Sequence, residues 1–319
     1  MPKDLTRSLK RLSVIFAAAA LMTAGCSRHH KAPDAPGAQV THTDTGETCV
    51  KISDTKSFSL EFPQLYKIFQ KISSLPLTGS NVTAVVGAPE MNYSTCTVPS
   101  FDRDGVRGDF TGTKLRVLED DPDERAYVHE MFHAAQQANG SLNLIGSGKF
   151  SVDDEIAGNM LMEASAVGYS FAAYKEMSKT DPDAYENFAN SAYAFEMRGY
   201  FDAAYDDAEA KYAGLPANDR EAKALEAGGR AVVDALLQGA NKTWSFNYAV
   251  TSAYNNARAA IIPDRNEPHY AAARDRMYFN AGAVSPKINL TPRALLASNT
   301  ADNVTTYLGM NGITIGYTR

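Results

Sequence analysis

The hydrophobic and polar positions along the chain recur mostly with the period of an α-helix. Residues 62–75 (FPQLYKIFQKISSL) place apolar side chains three and four positions apart, which predicts an amphipathic helix. The region after residue 121 has the same spacing, interrupted by clusters of Pro, Gly, Asn and Asp. It predicts five more helices, at 122–138, 152–178, 183–197, 218–238 and about 244–260.

Shorter apolar runs predict a small β component. Residues 81–87 (NVTAVVG) and 113–119 (TKLRVLE) contain β-branched residues, and each run has the length of one strand. The final residues, 305–319, alternate weakly between apolar and polar and predict a last strand. The expected fold class is therefore mainly α with a small β-sheet (α+β).

The composition is that of a folded protein and argues against a general affinity for nucleic acid. Hydrophobic residues make up 44% and charged residues 21% of the 319 positions, which is an ordinary globular balance. The net charge of -6 comes without a concentrated run of Lys and Arg, which binding to phosphate backbones requires. Nucleic acid is therefore not an expected partner.

The first residues of the chain have the layout of an export signal. The basic residues Lys3, Arg7, Lys10 and Arg11 precede a short apolar stretch (LSVIFAAAALMTAG) that leads into Cys26. The stretch is well below the roughly 20 residues that span a bilayer, and no later segment comes closer. We expect an exported chain without a transmembrane helix.

The end of this signal, LMTAGC, resembles a bacterial lipobox, although Thr23 stands where an aliphatic residue is usual. The resemblance implies that residues 1–25 are removed and that Cys26 carries a lipid anchor. Ser27 after that cysteine favours the outer membrane, facing the periplasm. The expected location is the bacterial cell envelope, with secretion after plain cleavage as the alternative.

The remaining cysteines predict a disulfide. If Cys26 is lipidated, Cys49 and Cys96 are an even pair in an oxidising compartment, and the alternative is two buried thiols. The bond would close a loop of about 47 residues, which the chain-entropy model values at roughly 3 to 4 kcal/mol. Residues 26–47 before this pair are polar and rich in Pro, Gly, Thr and Ala, and they predict a flexible tether.

Residues 123–140 (DERAYVHEMFHAAQQANG) carry the strongest candidate chemistry. Asp121 as N-cap, Pro122 at the first helical position and Glu124 in the first turn signal the start of a helix, and Gly140 signals its end. His129 and His133 lie one turn apart on this helix, so their imidazoles stand about 6 Å apart.

Histidines at this spacing can hold one metal ion together. They could share a tetrahedral Zn²⁺, with Glu130 beside the ion as general base for a water molecule. A carboxylate in that position can take the proton as the water attacks a carbonyl carbon. The alternative is two helix histidines that bind no metal.

The sequence HEMFH matches the HExxH motif of zinc peptidases and resembles the gluzincin type. The metzincin pattern fails, because Gln136 and Asn139 stand where it requires Gly and His. Gluzincins take a third ligand, a glutamate, from the following helix, and the next helix offers Glu155 and Glu163.

The helical rise does not decide between these glutamates. Across antiparallel helices the metal would lie about 11 Å from the end of the first helix, whereas Glu155 and Glu163 lie about 5 Å and 17 Å along the second. Glu163 is preferred because its neighbours are apolar, so burial of its carboxylate requires a metal or a cation. Acidic residues remain as alternative ligands: Glu155, Asp154 and Asp153.

The resemblance covers about residues 120–170 and extends to uncharacterised exported bacterial lipoproteins with metallopeptidase-like domains. It implies zinc-dependent peptide hydrolysis on a peptide or protein substrate, with Glu130 activating water. Its zincin-like core would span residues 48–175, and residues 176–319 would form a helical part of the same catalytic unit.

Three other functions stay open: a non-enzymatic envelope lipoprotein whose helices bind a partner, a pseudoenzyme with structural zinc, and hydrolysis of a non-peptide amide or ester. An oxyanion stabiliser would come from beyond the ligand-bearing helix. The sequence gives no basis for choosing among its candidates: Tyr169, Tyr193, Tyr200, Arg258 and His269.

Overall fold

The computed structural model describes residues 40–43, 46–101, 106–138, 152–191 and 194–237. Five strands are present: β1 (Val40–His42), β2 (Thr48–Lys51), β3 (Ser94–Val98), β4 (Gly108–Thr111) and β5 (Lys114–Leu118). The helices are α1 (Thr55–Glu61), α2 (Pro63–Ser73), α3 (Ser80–Val86), α4 (Glu124–Ala138), α5 (Val152–Met177), α6 (Asp183–Ala189), α7 (Arg198–Lys211) and α8 (Ala217–Leu237). The expected mainly α fold with a small β-sheet is confirmed.

The strands form one mixed sheet in the order β1-β2-β3-β5-β4. Only the central pair, β3 and β5, is parallel, and the other three pairs are antiparallel. β4 and β5 form a hairpin whose turn contains Gly112 at φ 63°, a left-handed conformation that glycine adopts without strain. Among the described strands β4 pairs with β5 alone, so β4 lies at an edge of the sheet.

One hydrophobic core joins the sheet to the helices. Side chains from the sheet (Phe110, Leu115 and Val117) are buried together with Phe58 of α1 and Val128 of α4. α4 contacts β4 and β5 of the sheet and also packs against α2, α3 and α5. It therefore links the sheet to the neighbouring helices.

The longest helix, α5, organises the second half of the described chain. It packs against α8 and also contacts α4, α6 and α2. A Cβ atom at Gly168 would lie 2.6 Å from the carbonyl oxygen of Gly229. Glycine at position 168 is therefore what allows α5 and α8 to approach so closely.

Two predicted elements differ in the structure. Residues 81–87, predicted as a strand, fall mostly in helix α3, because Val82 and Val86 both face the core one helical turn apart. The predicted helix 183–197 is shorter in the structure, where α6 ends at Ala189. Arg198 then binds Glu186 and Asn190, and the chain folds back before α7. Tertiary contacts outweigh the local pattern in both cases.

The predicted tether also reaches too far into the fold. Within residues 26–47, Val40–His42 form strand β1 and Glu47 is buried. β1 is a short edge strand with partly exposed and exposed residues, so it lacks the hydrophobic alternation that marks a strand.

Several predictions lie outside the described residues. They are the signal at 1–25 with Cys26, the helix at about 244–260 and the strand at 305–319. In the part of the chain that the structure describes, no helix combines the length and the apolar character needed to cross a membrane.

Candidate metal centre

The helix that carries both histidines begins at Glu124 and is capped by Asp123, not by Asp121 as predicted. The Asp123 carboxylate accepts the backbone N–H groups of Arg125 and Ala126, at 2.9 and 3.4 Å. Asp121 instead forms an ion pair with Arg107 at 2.6 Å. A cap must lie close to the first free N–H groups, and in this chain the helix starts two residues later than the Pro122 signal suggests.

Polar contacts fix α4 against the sheet. The hydroxyl of Tyr93 donates to the carbonyl of Ala134 at 2.9 Å, and the hydroxyls of Tyr127 and Thr95 share a hydrogen bond of 2.7 Å. Strand β4 comes close at Gly108, where an added Cβ would lie 3.0 Å from the Cβ of Ala126. The residues of α4 that bear the candidate chemistry therefore sit on a helix held at several points.

The three predicted ligands converge between α4 and α5. The Nε2 atoms of His129 and His133 lie 3.0 Å apart. The two carboxylate oxygens of Glu163 lie 3.2 Å from Nε2 of His129 and 3.1 Å from Nε2 of His133. All three side chains are nearly buried, and one donor atom from each lies within 4.8 Å of the others.

The geometry and donor types fit a zinc ion. Two imidazole nitrogens and one carboxylate form a usual ligand set for catalytic zinc. A tetrahedral ion bound at about 2.0–2.1 Å holds its donors about 3.3 Å apart. The three observed donor pairs, which involve both oxygens of Glu163, lie at 3.0, 3.1 and 3.2 Å and are close to that spacing. Among the described side chains Glu163 takes the third position, whereas the side chains of Glu155, Asp154 and Asp153 lie outside the described residues.

A buried amide orients His133. The Nδ1 atom of His133 lies 2.7 Å from Oε1 of Gln136, which can accept a hydrogen bond from Nδ1–H and leave Nε2 turned toward Glu163. The Nε2 group of Gln136 donates to the hydroxyl of Ser165 at 2.8 Å and to the carbonyl of Met162 at 3.2 Å. Gln136 thus links the second histidine to the helix that carries the glutamate.

The charges of this cluster depend on one another. Burial by itself lowers the pKa of His133, but the carboxylate of Glu163 and the hydrogen bond to it raise that pKa to about 9. Burial by itself raises the pKa of Glu163, but the two imidazoles hold it well below its usual range. Burial lowers the pKa of His129 despite its hydrogen bond to Glu163. Without a metal, the cluster is therefore held by a His133 cation and a Glu163 anion.

Glu130 stands beside this cluster with an unusual charge state. Its side chain is buried, and its Oε2 atom has no hydrogen-bond partner among the described residues. Burial raises the pKa of Glu130 to about 8, and the carboxylates of Glu163 and Asp109 add to the rise while His133 opposes it. Asp109 itself is buried and bound by Arg116. A carboxyl group with this pKa can exchange protons near neutral pH.

The sequence did not reveal the supporting residues around the cluster. Gln136 follows His133 by three positions, a spacing that brings two side chains together on a helix, but any polar residue there would look the same. Gly108 and Asp109 lie in a strand of four residues that carries no clear alternation. Their contact with α4 depends on the fold and has no local signal.

Two of the candidate oxyanion stabilisers, Tyr169 and Tyr200, lie in the described residues. Tyr169 is buried and stacks on Phe132 with ring centroids 4.4 Å apart, which is a packing contact in the core. Tyr200 is 45% exposed near the start of α7. Tyr193, Arg258 and His269 lie outside the described residues.

Cys49 and Cys96 form a disulfide between β2 and β3, where they are directly opposite each other. Glu47 lies close to both sulfur atoms and forms an ion pair with Lys114 at 2.5 Å. The bond links the edge region of the sheet to its central strand.

Comparison of the chain with protein-family models, curated proteins and solved structures finds no match.

Proposed function

We propose that this protein is a zinc-dependent peptidase of the bacterial cell envelope. The observation that carries the proposal is the convergence of His129, His133 and Glu163 on one point, with Glu130 adjacent on α4. A buried carboxylate between two imidazoles, next to a second buried carboxyl group, is costly to assemble for packing alone. It is the set of groups that metal-assisted hydrolysis uses.

His129, His133 and Glu163 would hold the ion. When bound, zinc supplies a Lewis acid that polarises a carbonyl group and lowers the pKa of water toward about 7. Gln136 keeps Nδ1 of His133 protonated and its Nε2 free to bind. The proton that His133 carries in the metal-free protein must leave when the ion binds.

Glu130 would act as the general base and then as the general acid. It takes a proton from the water molecule that attacks the peptide carbonyl and passes it to the leaving nitrogen. In the metal-free protein burial raises the pKa of Glu130 to about 8. The charge of a bound zinc ion would lower that pKa, so that the carboxylate could accept the proton of water and then release it.

A peptide substrate could lie along strand β4. One edge of this strand is not covered by any other described strand. The strand starts beside Glu130, because a Cβ added at Gly108 would lie 3.5 Å from Cγ of Glu130. An extended peptide can add to such an edge through backbone hydrogen bonds. This position would bring its carbonyl groups past Glu130.

The cellular location is proposed on the sequence. The lipobox-like LMTAGC would place a lipid on Cys26, and the membrane would be reached through that anchor. The disulfide between Cys49 and Cys96 is consistent with an oxidising compartment such as the periplasm.

The second candidate function is a non-enzymatic envelope lipoprotein that acts as a helical binding or assembly module. It is favoured by one observation: the His133 and Glu163 side chains satisfy each other at 3.1 Å as an ion pair. In that case the cluster would hold α4 to α5 and no ion would bind.

Metal analysis separates the two functions. The full chain, purified without added zinc and then incubated with one equivalent, should retain one zinc per chain after dialysis, and so should Glu130→Gln. Glu130→Gln should lose about 10³-fold or more of the rate on an unstructured protein such as casein, as loss of the general base predicts. His133→Ala should lose the ion, whereas His42→Ala, a matched change at an exposed histidine, should keep both zinc and activity. A folded wild-type chain that retains no zinc would contradict the peptidase.

A further inference from the structure

A polar cavity lies at the amino end of α4, apart from the metal ligands. Its volume is about 620 Å³. It is bounded by the start of α4, by α2 and α6, and by the last turns of α5. None of its lining residues belongs to the His129, His133 and Glu163 cluster, and Glu124 at its rim lies five residues from His129, about 7.5 Å along the helix.

The charged groups of this cavity are arranged in pairs with one group left over. Its three cations each bind a carboxylate in the wall: Lys71 binds Asp181, Arg107 binds Asp121 and Arg125 binds Asp123. The seventh charged residue, Glu124, forms no ion pair within the described part of the chain. A cationic group that enters the cavity would therefore find an available carboxylate.

The floor of the cavity contains a buried hydroxyl that lacks a partner. Tyr174 is only 5% exposed, and its hydroxyl makes no hydrogen bond to any described residue. Tyr174 lines the cavity together with Glu124 and Asp123. Burial raises the pKa of Tyr174, and the charges of Glu124 and Asp123 raise it further while Arg125 opposes them. A buried hydroxyl without a partner costs stability unless a ligand satisfies it.

The rest of the floor is apolar. The Tyr174 ring stacks on Phe188 with centroids 4.4 Å apart and planes 4° apart, and Met177 lies beside them in the lining. Phe188 and Met177 are almost completely buried, so they shape the wall beneath the polar groups. Cavities with a few convergent polar groups over an apolar floor are typical of small-molecule sites.

We infer that this cavity binds a primary amine with a neighbouring carbonyl group, the chemistry of a free amino acid or of the amino end of a peptide. The ammonium group would pair with Glu124, and the carbonyl oxygen would accept a hydrogen bond from Tyr174. The inference does not depend on zinc, because none of these groups is a proposed metal ligand.

Calorimetric titration of the full chain tests the inference. The titration is done in the presence of a chelator, so that the probe cannot bind a metal and is not hydrolysed. Leucine amide should bind saturably, and N-acetyl-leucine amide, which lacks the ammonium group, should bind at least about tenfold more weakly, as expected for loss of a charge-assisted hydrogen bond. Equal binding of the two probes, or no saturable binding of leucine amide, would overturn the inference.

Two variants assign the contacts. Glu124→Gln and Tyr174→Phe should each weaken leucine amide binding by about tenfold, whereas Glu119→Gln and Tyr200→Phe, changes at residues outside the cavity lining, should leave it unchanged. Tyr174→Phe keeps the stacking on Phe188 and removes a hydroxyl without a described partner, so its urea midpoint should not fall. Unchanged affinity in either cavity variant would contradict the proposed contacts. The result is independent of whether the protein retains zinc.

Discussion

Gln136→Met should weaken zinc binding without unfolding the protein. The substitution keeps the side-chain volume but removes the oxygen that lies 2.7 Å from Nδ1 of His133. It also removes the donor to Met162 and Ser165, although the Ser165 hydroxyl still donates to the Met162 carbonyl at 2.9 Å. The main loss is therefore the partner of His133, which lies in a fully buried position.

The size of the effect follows from these contacts. Loss of an outer partner of a metal-binding histidine typically lowers metal affinity 10- to 100-fold. In the metal-free protein, the orphaned Nδ1 group should lower the free energy of unfolding by about 1 to 3 kcal/mol. The metal-free stability change does not require that zinc be the natural ligand.

Competition with a chromophoric chelator measures the zinc affinity, and urea unfolding of the chelated protein measures the stability. Gln137→Met is the matched control, because Gln137 is the next residue on α4 and its Oε1 has no described hydrogen-bond partner. It should leave the zinc affinity within about twofold of the wild type. An equally small change in Gln136→Met would refute the orienting role of Gln136.

Three further predictions concern stability. Gly168→Ala should lower the free energy of unfolding, measured in urea, by about 1 to 3 kcal/mol, because the new Cβ would lie 2.6 Å from a carbonyl oxygen of α8. The control Gly199→Ala, in open space on α7, should not lower the free energy of unfolding. Glu176→Ala should cost about 3 kcal/mol or more in the same assay, because the buried carboxylate accepts two backbone N–H groups and one hydroxyl from the segment between α2 and α3; a loss below about 1 kcal/mol would contradict this. Burial opposes the shift, but the contacts with Arg125 lower the pKa of Asp123 in the folded protein. The contribution of Asp123 to the free energy of unfolding is therefore complete above the unfolded pKa of about 3.9 and is lost as the pH falls through the lower folded pKa. Asp123→Asn should lose less stability than the wild type between about pH 4 and pH 2 in urea unfolding, and an unchanged slope would contradict this prediction.

The helical framework and the histidine pair could be predicted because both depend on spacing along one helix. His129 and His133 are four residues apart, and any helix over that segment brings them together. The long helix after them could be predicted for the same reason, and its observed limits, Val152–Met177, lie within one residue of the expected 152–178. Local periodicity is sufficient for features of this kind.

The position of Glu163 could not be predicted from distances along the helices. The rise along two antiparallel helices placed neither glutamate level with the histidines, because the offset between helices depends on the path of the chain between them. The apolar neighbours of Glu163 indicated a buried carboxylate that needs partners, and the structure places it against both imidazoles. Chemical environment was informative where geometry was not.

Most of the sheet had no usable signal. β2 and β3 are four and five residues long, and they mix Thr and Ser with the two cysteines. Strands of this length carry too few alternating positions to be distinguished from loops. α3 shows the opposite problem, because its β-branched residues favour a strand locally while packing against α4 keeps it helical.

The 26-residue helix α5 has a consequence for attempts to shorten the protein. Its first half presents Glu163 to the histidines, and its last turn supplies the Glu176 carboxylate that binds the amides of Leu77 and Thr78. A fragment ending at residue 175 would lose that carboxylate together with α8, which packs against α5. Expression trials that seek a minimal hydrolytic fragment should therefore keep the chain at least through Leu237.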